Sequence, residues 1–246
     1  MTVTLFSRVA DDLRRDLVQM PAGQKLPSEH DLTKRYKVSR QTVRTALQTL
    51  AREGLIVSTQ GQGWSTRDQR TLDWVASTPE RNTRTDQSPA DTWSNGIRSQ
   101  GREPNEVITT ETILASGRIA AFLEVPEGEP VTVRRRLRYV DRQLHTTSDS
   151  YYPRCLVAGT VIELPADVLP GTYAVLEAAG HGWRTWRDTL RSRPPTAAEL
   201  DLFGLDPGVA VTEHTRVRRA EDGRVVAVSV TALPGDRNEI IYEGTA

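Results

Sequence analysis

The stretch from Leu26 to Thr66 constrains this chain more than any other: it reads as two short capped helices followed at once by a hairpin. Ser28 is a natural N-cap with Asp31 at the capping-box spacing, and Ser39 caps the next helix in the same way. In that second helix Val43, Ala46, Leu47 and Leu50 recur on one face, while Arg40, Gln41, Arg44 and Gln48 occupy the other. Upstream, Phe6, Val9, Ala10, Leu13 and Leu17 predict a first helix over residues 4–19, ended by Pro21 and Gly23. Downstream, the apolar run Leu55–Val57, the turn Gln60–Gly63 and the return Trp64–Thr66 predict a β-hairpin wing. Any one amphipathic helix could be ordinary core. Three helices, two caps and a wing in this order specify a winged helix-turn-helix. A helix that buries one side and offers Arg and Gln from its first turns is suited to a major groove, where those side chains pair with guanine and adenine edges. Arg40 and Arg44 are the predicted reading residues, with Gln41 and Thr42 beside them. Arg35 and Lys37, just before that helix, are phosphate contacts or plain solvated charges.

A net charge of zero argues at first sight against a nucleic-acid partner, but its distribution removes the objection. Residues 1–70 carry 12 basic against 7 acidic side chains, and the remainder 20 against 25. A basic head on an acidic body is the asymmetry expected when one end of a chain meets phosphate. At 246 residues there is room for two domains, each with its own core. The single cysteine, Cys155, rules out an intrachain disulfide and a cysteine-based zinc site, and is expected to be a buried or semi-buried small hydrophobe. The sequence has no 18-residue apolar run and no signal-peptide pattern, which predicts a cytoplasmic protein.

From residue 68 to 100 the composition turns polar, and a linker is expected there, with Trp74 and Trp93 available to pin it onto a domain and a short helix over residues 90–100. The remainder, 101–246, contains an internal repeat. Ala120–Val131, followed by Arg134–Arg138, returns eighty residues later as Leu200–Val211, followed by Arg216–Arg218. Each copy reads as a short helix, a Pro/Gly turn and a strand that hairpins back, at Asp141 in one and Asp222-Gly223 in the other. Thr196 and Glu199 make a capping box on the second helix. The predicted class is α+β, an antiparallel sheet with helices covering one face, built pseudo-symmetrically.

These motifs carry a family resemblance. Residues 4–67, with Leu26-Pro-Ser-Glu29, Val38-Ser-Arg-Gln-Thr-Val-Arg44 and Glu53-Gly-Leu-Ile56, resemble the DNA-binding domain of the GntR family of bacterial transcription regulators. The resemblance implies that His30, Arg40, Arg44 and Gly61 approach DNA. His30 stands where the family has arginine, which makes its phosphate contact weaker or pH-sensitive. The wing reads Gly61-Gln-Gly-Trp64-Ser65, which departs from the family pattern. The DNA-facing set expected is therefore Ser28, His30, Arg35, Ser39, Arg40, Gln41, Thr42, Arg44, Gly61 and Gln62. Residues 106–242 resemble the UTRA domain, the chorismate-lyase-like ligand-binding module of the HutC subfamily, through Val131–Val140, Ser150-Tyr-Tyr-Pro153, Gly171–Glu177 and Pro234-Gly-Asp-Arg237. That resemblance implies a homodimeric regulator, a repressor of an inverted-repeat operator that is released by a small effector. Ala227 and Asn238 stand where several such domains have a glutamate and a tyrosine, which disfavours an amino-sugar phosphate as effector.

An enzyme reading finds little support. The four histidines are scattered, with no metal-ligand spacing, and neither a GxSxG elbow, a P-loop nor a dinucleotide fingerprint occurs. His145 and Asp149 share a strand face and could form an acid–base pair, yet nothing else converges on them. No cofactor and no metal are expected, and similarity to a lyase fold does not transfer activity. The alternatives left open are a DNA-binding regulator without ligand sensing and a chorismate-lyase-like enzyme. For the effector, the strand period of two puts Arg134, Arg136 and Arg138 on one face and Val133, Leu137 and Tyr139 on the other. Resembling domains bind effectors with arginines of this strand and hydroxyls of the next. The expectation is therefore an anionic or strongly polar ligand at Arg136 and Arg138, with Ser148, Ser150 and Tyr173.

Overall fold

The computed structural model describes residues 4–21, 23–59, 63–66, 71–75, 92–169, 171–205 and 208–243. The chain divides into two compact units, one of residues 1–71 with 206–209 and one of residues 72–205 with 210–246.

In the first unit, α1 (Leu5–Leu17), α2 (Glu29–Tyr36) and α3 (Arg40–Arg52) precede the antiparallel pair β1 (Ile56–Thr59) and β2 (Gly63–Thr66). The Ser28 hydroxyl accepts the Asp31 N–H, as expected, but the return bond runs from that hydroxyl to the Asp31 carboxylate rather than from the Ser28 backbone. Ser39 accepts the Thr42 N–H. Between the two helices Lys37 adopts the left-handed conformation, φ 53°, which turns the chain sharply into α3. Val9, Ala10 and Leu13 of α1 pack against Leu32, Val43, Ala46, Leu47, Leu50 and Ile56 in a single core. Arg14 clamps the end of α3 through Glu53, at 2.8–3.0 Å. Beside the hairpin, Lys25 bridges Ser65 and the Leu26 N–H donates to the Trp64 carbonyl, so the segment before α2 extends the wing's sheet.

The second unit contains β3 (Leu72–Val75), α4 (Thr92–Ser99), β4 (Pro104–Leu114), α5 (Gly117–Leu123), β5 (Pro130–Val140), β6 (Gln143–Pro153), α6 (Arg154–Val157), α7 (Thr172–Ala178), β7 (Thr185–Arg193), α8 (Ala197–Phe203), β8 (Val211–Arg219), β9 (Val225–Pro234) and β10 (Asn238–Ile241). Six strands form an antiparallel sheet in the order β4-β5-β6-β9-β8-β7. Asp141 and Arg142 both take positive φ, as a tight two-residue hairpin turn demands. The eighty-residue repeat becomes a two-fold pseudo-axis: β5–β6 and β8–β9 meet where β6 pairs β9, with Ser148 opposite Thr231 and Ser150 opposite Ser229.

Three features depart from the sequence reading. Helices cover both sheet faces, not one. Ile119, Ala120 and Leu123 of α5 pack on Val131, Val133, Tyr151 and Val228, while Leu156, Val157, Ile162, Leu176 and Trp183 pack on the opposite side over Tyr152 and Ala227. Within the stretch read as linker, Leu72–Val75 is a strand paired in parallel with β10, and Ile97 and Trp93 of α4 pack with Leu72 and Val140. Cys155 is exposed, not buried.

Candidate functional site

On α3 the arrangement follows from its amphipathic pattern. Val43, Ala46, Leu47 and Leu50 are fully buried, and Arg40, Gln41, Arg44 and Gln48 are exposed. Arg40 is 80 % exposed and touches Glu29 Oε2 at 3.0 Å, a surface pair of little strength that a phosphate can replace. His30 is exposed on the first turn of α2. The hydroxyls of Ser28, Ser39 and Thr42 are engaged in helix capping, Ser39 and Thr42 at 2.8 Å from each other. Through that hydrogen bond Ser28 holds the Asp31 carboxyl below its usual range. Arg35 pairs with Asp16 at 2.8 Å and lies over the Tyr36 ring, which ties it to α1. Gly61 and Gln62 lie outside the described residues.

The second concentration of chemistry is one face of the large sheet. Strand register sets two rows across it: Ile108, Arg136, Ser148, Thr231, His214, Leu190, and beside it Thr110, Arg134, Ser150, Ser229, Arg216, Asp188. Arg138 and Arg218 flank these rows. The three β5 arginines meet different fates. Arg134 is fully buried and donates to the carbonyls of Ile162, Leu164 and Ala166, each at 2.6 Å, so it holds the segment after α6. Burial, with Arg136 nearby, lowers its pKa from the ordinary guanidinium value. Arg138 donates to Glu106 at 2.7 Å beneath the Trp93 ring. Arg136 lies 3.6 Å from the same carboxylate.

Ser148 and Ser150 are buried and bond across the seam, Ser148 to Thr231 at 2.9 Å and Ser150 to Ser229 at 3.2 Å. Tyr173 sits with a different set. Its ring packs edge-on against Trp183 and its hydroxyl accepts from Arg184. Trp183 in turn lies under Arg218.

The sequence reading missed the other half of this face. Arg216 binds Asp188 through two bonds of 2.7 and 2.8 Å, and His214 Nε2 is 3.0 Å from the same carboxylate. Burial alone would raise the Asp188 pKa; the bonds from Arg216 and His214 overcome it and hold the group well below the usual range. Arg218 donates to Ser229 at 2.7 Å. The repeat was the available signal, since it aligns Arg216 and Arg218 with Arg136 and Arg138.

The conceivable acid–base pair does not assemble. His145 falls at the β5–β6 bulge beside Arg102 and Arg237, whereas Asp149 faces Arg135 and accepts from Tyr151. Among the described residues no group of three or more His, Cys, Asp or Glu could hold a metal ion, and no helix is long and apolar enough to cross a membrane.

Comparison with known proteins agrees with this geometry. Residues 5–65 match the family model for bacterial regulatory proteins of the gntR family, and residues 99–239 match the UTRA domain. An HTH-type transcriptional regulator of Rhizobium meliloti is 32 % identical, over 99 % of this chain and 96 % of that protein. The probable fructoselysine utilization operon transcriptional repressor of Escherichia coli K12 is 27 % identical, over 61 % of this chain and 56 % of its own. In fold, a crystal structure of a GntR-family regulator superposes with a TM-score of 0.67 at 24 % identity, covering 99 % of this chain and 98 % of that one. PhnF of Mycobacterium smegmatis superposes at 0.58 with 21 % identity, over 97 % and 99 %. A helix-turn-helix domain followed by a UTRA domain accounts for most of the length, and the chain belongs to the GntR family of bacterial transcription regulators, with a UTRA domain as its second half.

Proposed function

We propose that this regulator is a cytoplasmic homodimeric repressor that reads an inverted repeat through Arg40 and Arg44 and lets go when a small polar or anionic metabolite enters the second half. Residues 1–67 do the reading and residues 101–246 take the effector and dimerise; of the joining stretch 68–100, β3 and α4 pack with the second unit. The observation that carries the effector reading is the buried sheet face on which Arg136 and Arg138 stand beside Ser148 and Ser150. Guanidinium forks next to hydroxyl donors suit carboxylate or phosphate oxygens. Two copies related by a two-fold axis match a palindrome, whereas one small reading head makes too few contacts for useful specificity. A repressor role agrees with what the Escherichia coli relative is named for. Effector binding would favour an arrangement of the two heads that no longer fits the operator spacing.

The test begins with selection of bound duplexes from a random library by the full-length protein, followed by sedimentation of the complex. A palindromic consensus held by two chains supports the reading; a single half-site held by one chain overturns it. Metabolite fractions that release the selected duplex then identify the effector, and loss of that release in the Arg136→Ala, Arg138→Ala double variant, with DNA binding intact, assigns the site.

A further inference from the structure

The large sheet ends in two edge strands of opposite character. At one end β7 carries Arg187, Arg191 and Arg193 on one side and Asp188 on the other. Two copies of β7 paired about its middle residue, Thr189, would set Arg187 against Arg191, and like charges directly opposite each other destabilise a strand pair. Such charges guard an exposed edge against further pairing. At the other end β4 lacks this guard. It pairs with β5 at 11 consecutive positions without a bulge, so its edge is regular throughout. From residue 107 to 114 it reads Val-Ile-Thr-Thr-Glu-Thr-Ile-Leu, β-branched at most positions and with a single charge. That charge, Glu111, is paired with Arg135 of the same chain, and the other glutamate of the strand, Glu106, with Arg138. No residue of β4 is buried, and Val107 and Leu114 are exposed. Among the described residues no strand pairs with the outer edge of β4.

Two copies joined there in antiparallel fashion are related by a two-fold axis normal to the sheet, which passes through a residue of the strand because opposed side chains point to the same side. The strand is nearly palindromic, with apolar pairs at 107–108 and 113–114 around a polar middle. An axis through Glu111 would set two glutamates together, and one through Thr109 would set Val107 against Glu111. An axis through Thr110 sets Val107 against Ile113, Ile108 against Thr112 and Thr109 against Glu111, with no like charges opposed. A strand that complements itself in this way, and carries no unpaired charge for an acidic or basic partner, fits a second copy of the chain. We infer that the homodimer forms by pairing of β4 with β4 of a second copy about Thr110, so that the two sheets run as one with both polar faces on the same side. This deepens the homodimer reading given above and rests on it.

The test uses the full-length protein without DNA and reads its monomer–dimer equilibrium by sedimentation, with thermal unfolding to show that each variant is folded. Thr109 is registered opposite Arg135 of its own chain, so the monomer accommodates Thr109→Glu. In the dimer that glutamate faces Glu111 of the other copy, twice over, and dimerisation should weaken at least about fivefold. Adding Glu111→Lys turns both contacts into opposite-charge pairs and should restore it. Thr189→Glu on β7 should leave the equilibrium unchanged. In a Cys155→Ser background, Thr110→Cys should link two chains on mild oxidation, because residues directly opposite in an antiparallel pair lie about 4.5–5.5 Å apart, within disulfide reach. Leu202→Cys, exposed on α8, should not. A Thr109→Glu variant that dimerises like the parent, no rescue by Glu111→Lys, or a dimer that Thr110→Cys fails to link overturns the inference and leaves the homodimer reading standing. A parent protein that stays monomeric, both free and on a selected duplex, defeats the homodimer reading itself.

Discussion

Trp74 meets His214 edge-on, with ring centroids 4.8 Å apart and planes at 74°. The contact joins two parts of the second unit that the sequence keeps far apart. Trp74 belongs to β3, which pairs with β10, and His214 belongs to the polar row of the large sheet. His214 is beside Asp188, which holds Arg216 and accepts the hydroxyl of Tyr242 just past β10. The small parallel pair is thus tied at both strands to the charged network of the large sheet's polar face. An edge-on ring pair is worth about 0.5–1.5 kcal/mol. A double-mutant cycle of Trp74→Ala and His214→Ala, read by urea unfolding, should return a coupling energy in that range; additive losses would show that the rings contribute independently.

Arg44→Ala should weaken binding to a selected duplex by at least about tenfold and relax the preference at one base, as loss of a bidentate arginine–guanine pair does. Arg35→Ala should cost less, because Arg35 is held by Asp16 of α1. Competition binding at fixed salt checks both.

Arg134 and Arg136 share a strand face but should respond oppositely to removal. Arg134→Ala strips three carbonyls of a buried charged donor and should destabilise the protein by about 3 kcal/mol or more, exposing residues 161–169 to protease. Arg136→Ala should alter stability by less than about 1 kcal/mol and act on effector response instead. Unfolding curves with limited proteolysis separate the two.

His145 is 1 % exposed, and neither ring nitrogen has a hydrogen-bond partner among the described residues. Burial, reinforced by Arg102 and Arg237, pushes its pKa down from 6.5 to about 4. The unfolded chain therefore binds a proton in a range where the folded one does not, so stability is complete above the unfolded value and falls as pH drops from 6.5 toward 4. The loss amounts to at most about 3 kcal/mol. Tryptophan-monitored urea unfolding of the parent and of His145→Leu at a series of pH values should show this dependence shrinking in the variant.

What the sequence determined by itself is local. Ser28 and Ser39 cap their helices because a side-chain oxygen reaches an N–H three residues on. The pattern of Val43, Ala46, Leu47 and Leu50 decides which side of α3 is buried, and Asp141-Arg142 turns a hairpin where it was expected. Thr196 and Glu199 close the capping box as read. The repeat foretold two matched hairpins, and alternation foretold which β5 residues share a face. Only the tertiary structure decided what those faces meet. Arg134, Arg136 and Arg138 are indistinguishable by spacing, yet one is spent on three carbonyls, one on a carboxylate under a tryptophan, and one lies farther from that same carboxylate, in register with a serine. Those partners come from segments tens of residues away, and no local pattern encodes them. The pairing of β6 with β9, which gathers four hydroxyls into one floor, and of β3 with β10, which makes strand of an expected linker, are likewise contacts between distant segments. They exist because burying both sheet faces brings those segments together, and that packing alone set the second pair of arginines on the same polar face as the first.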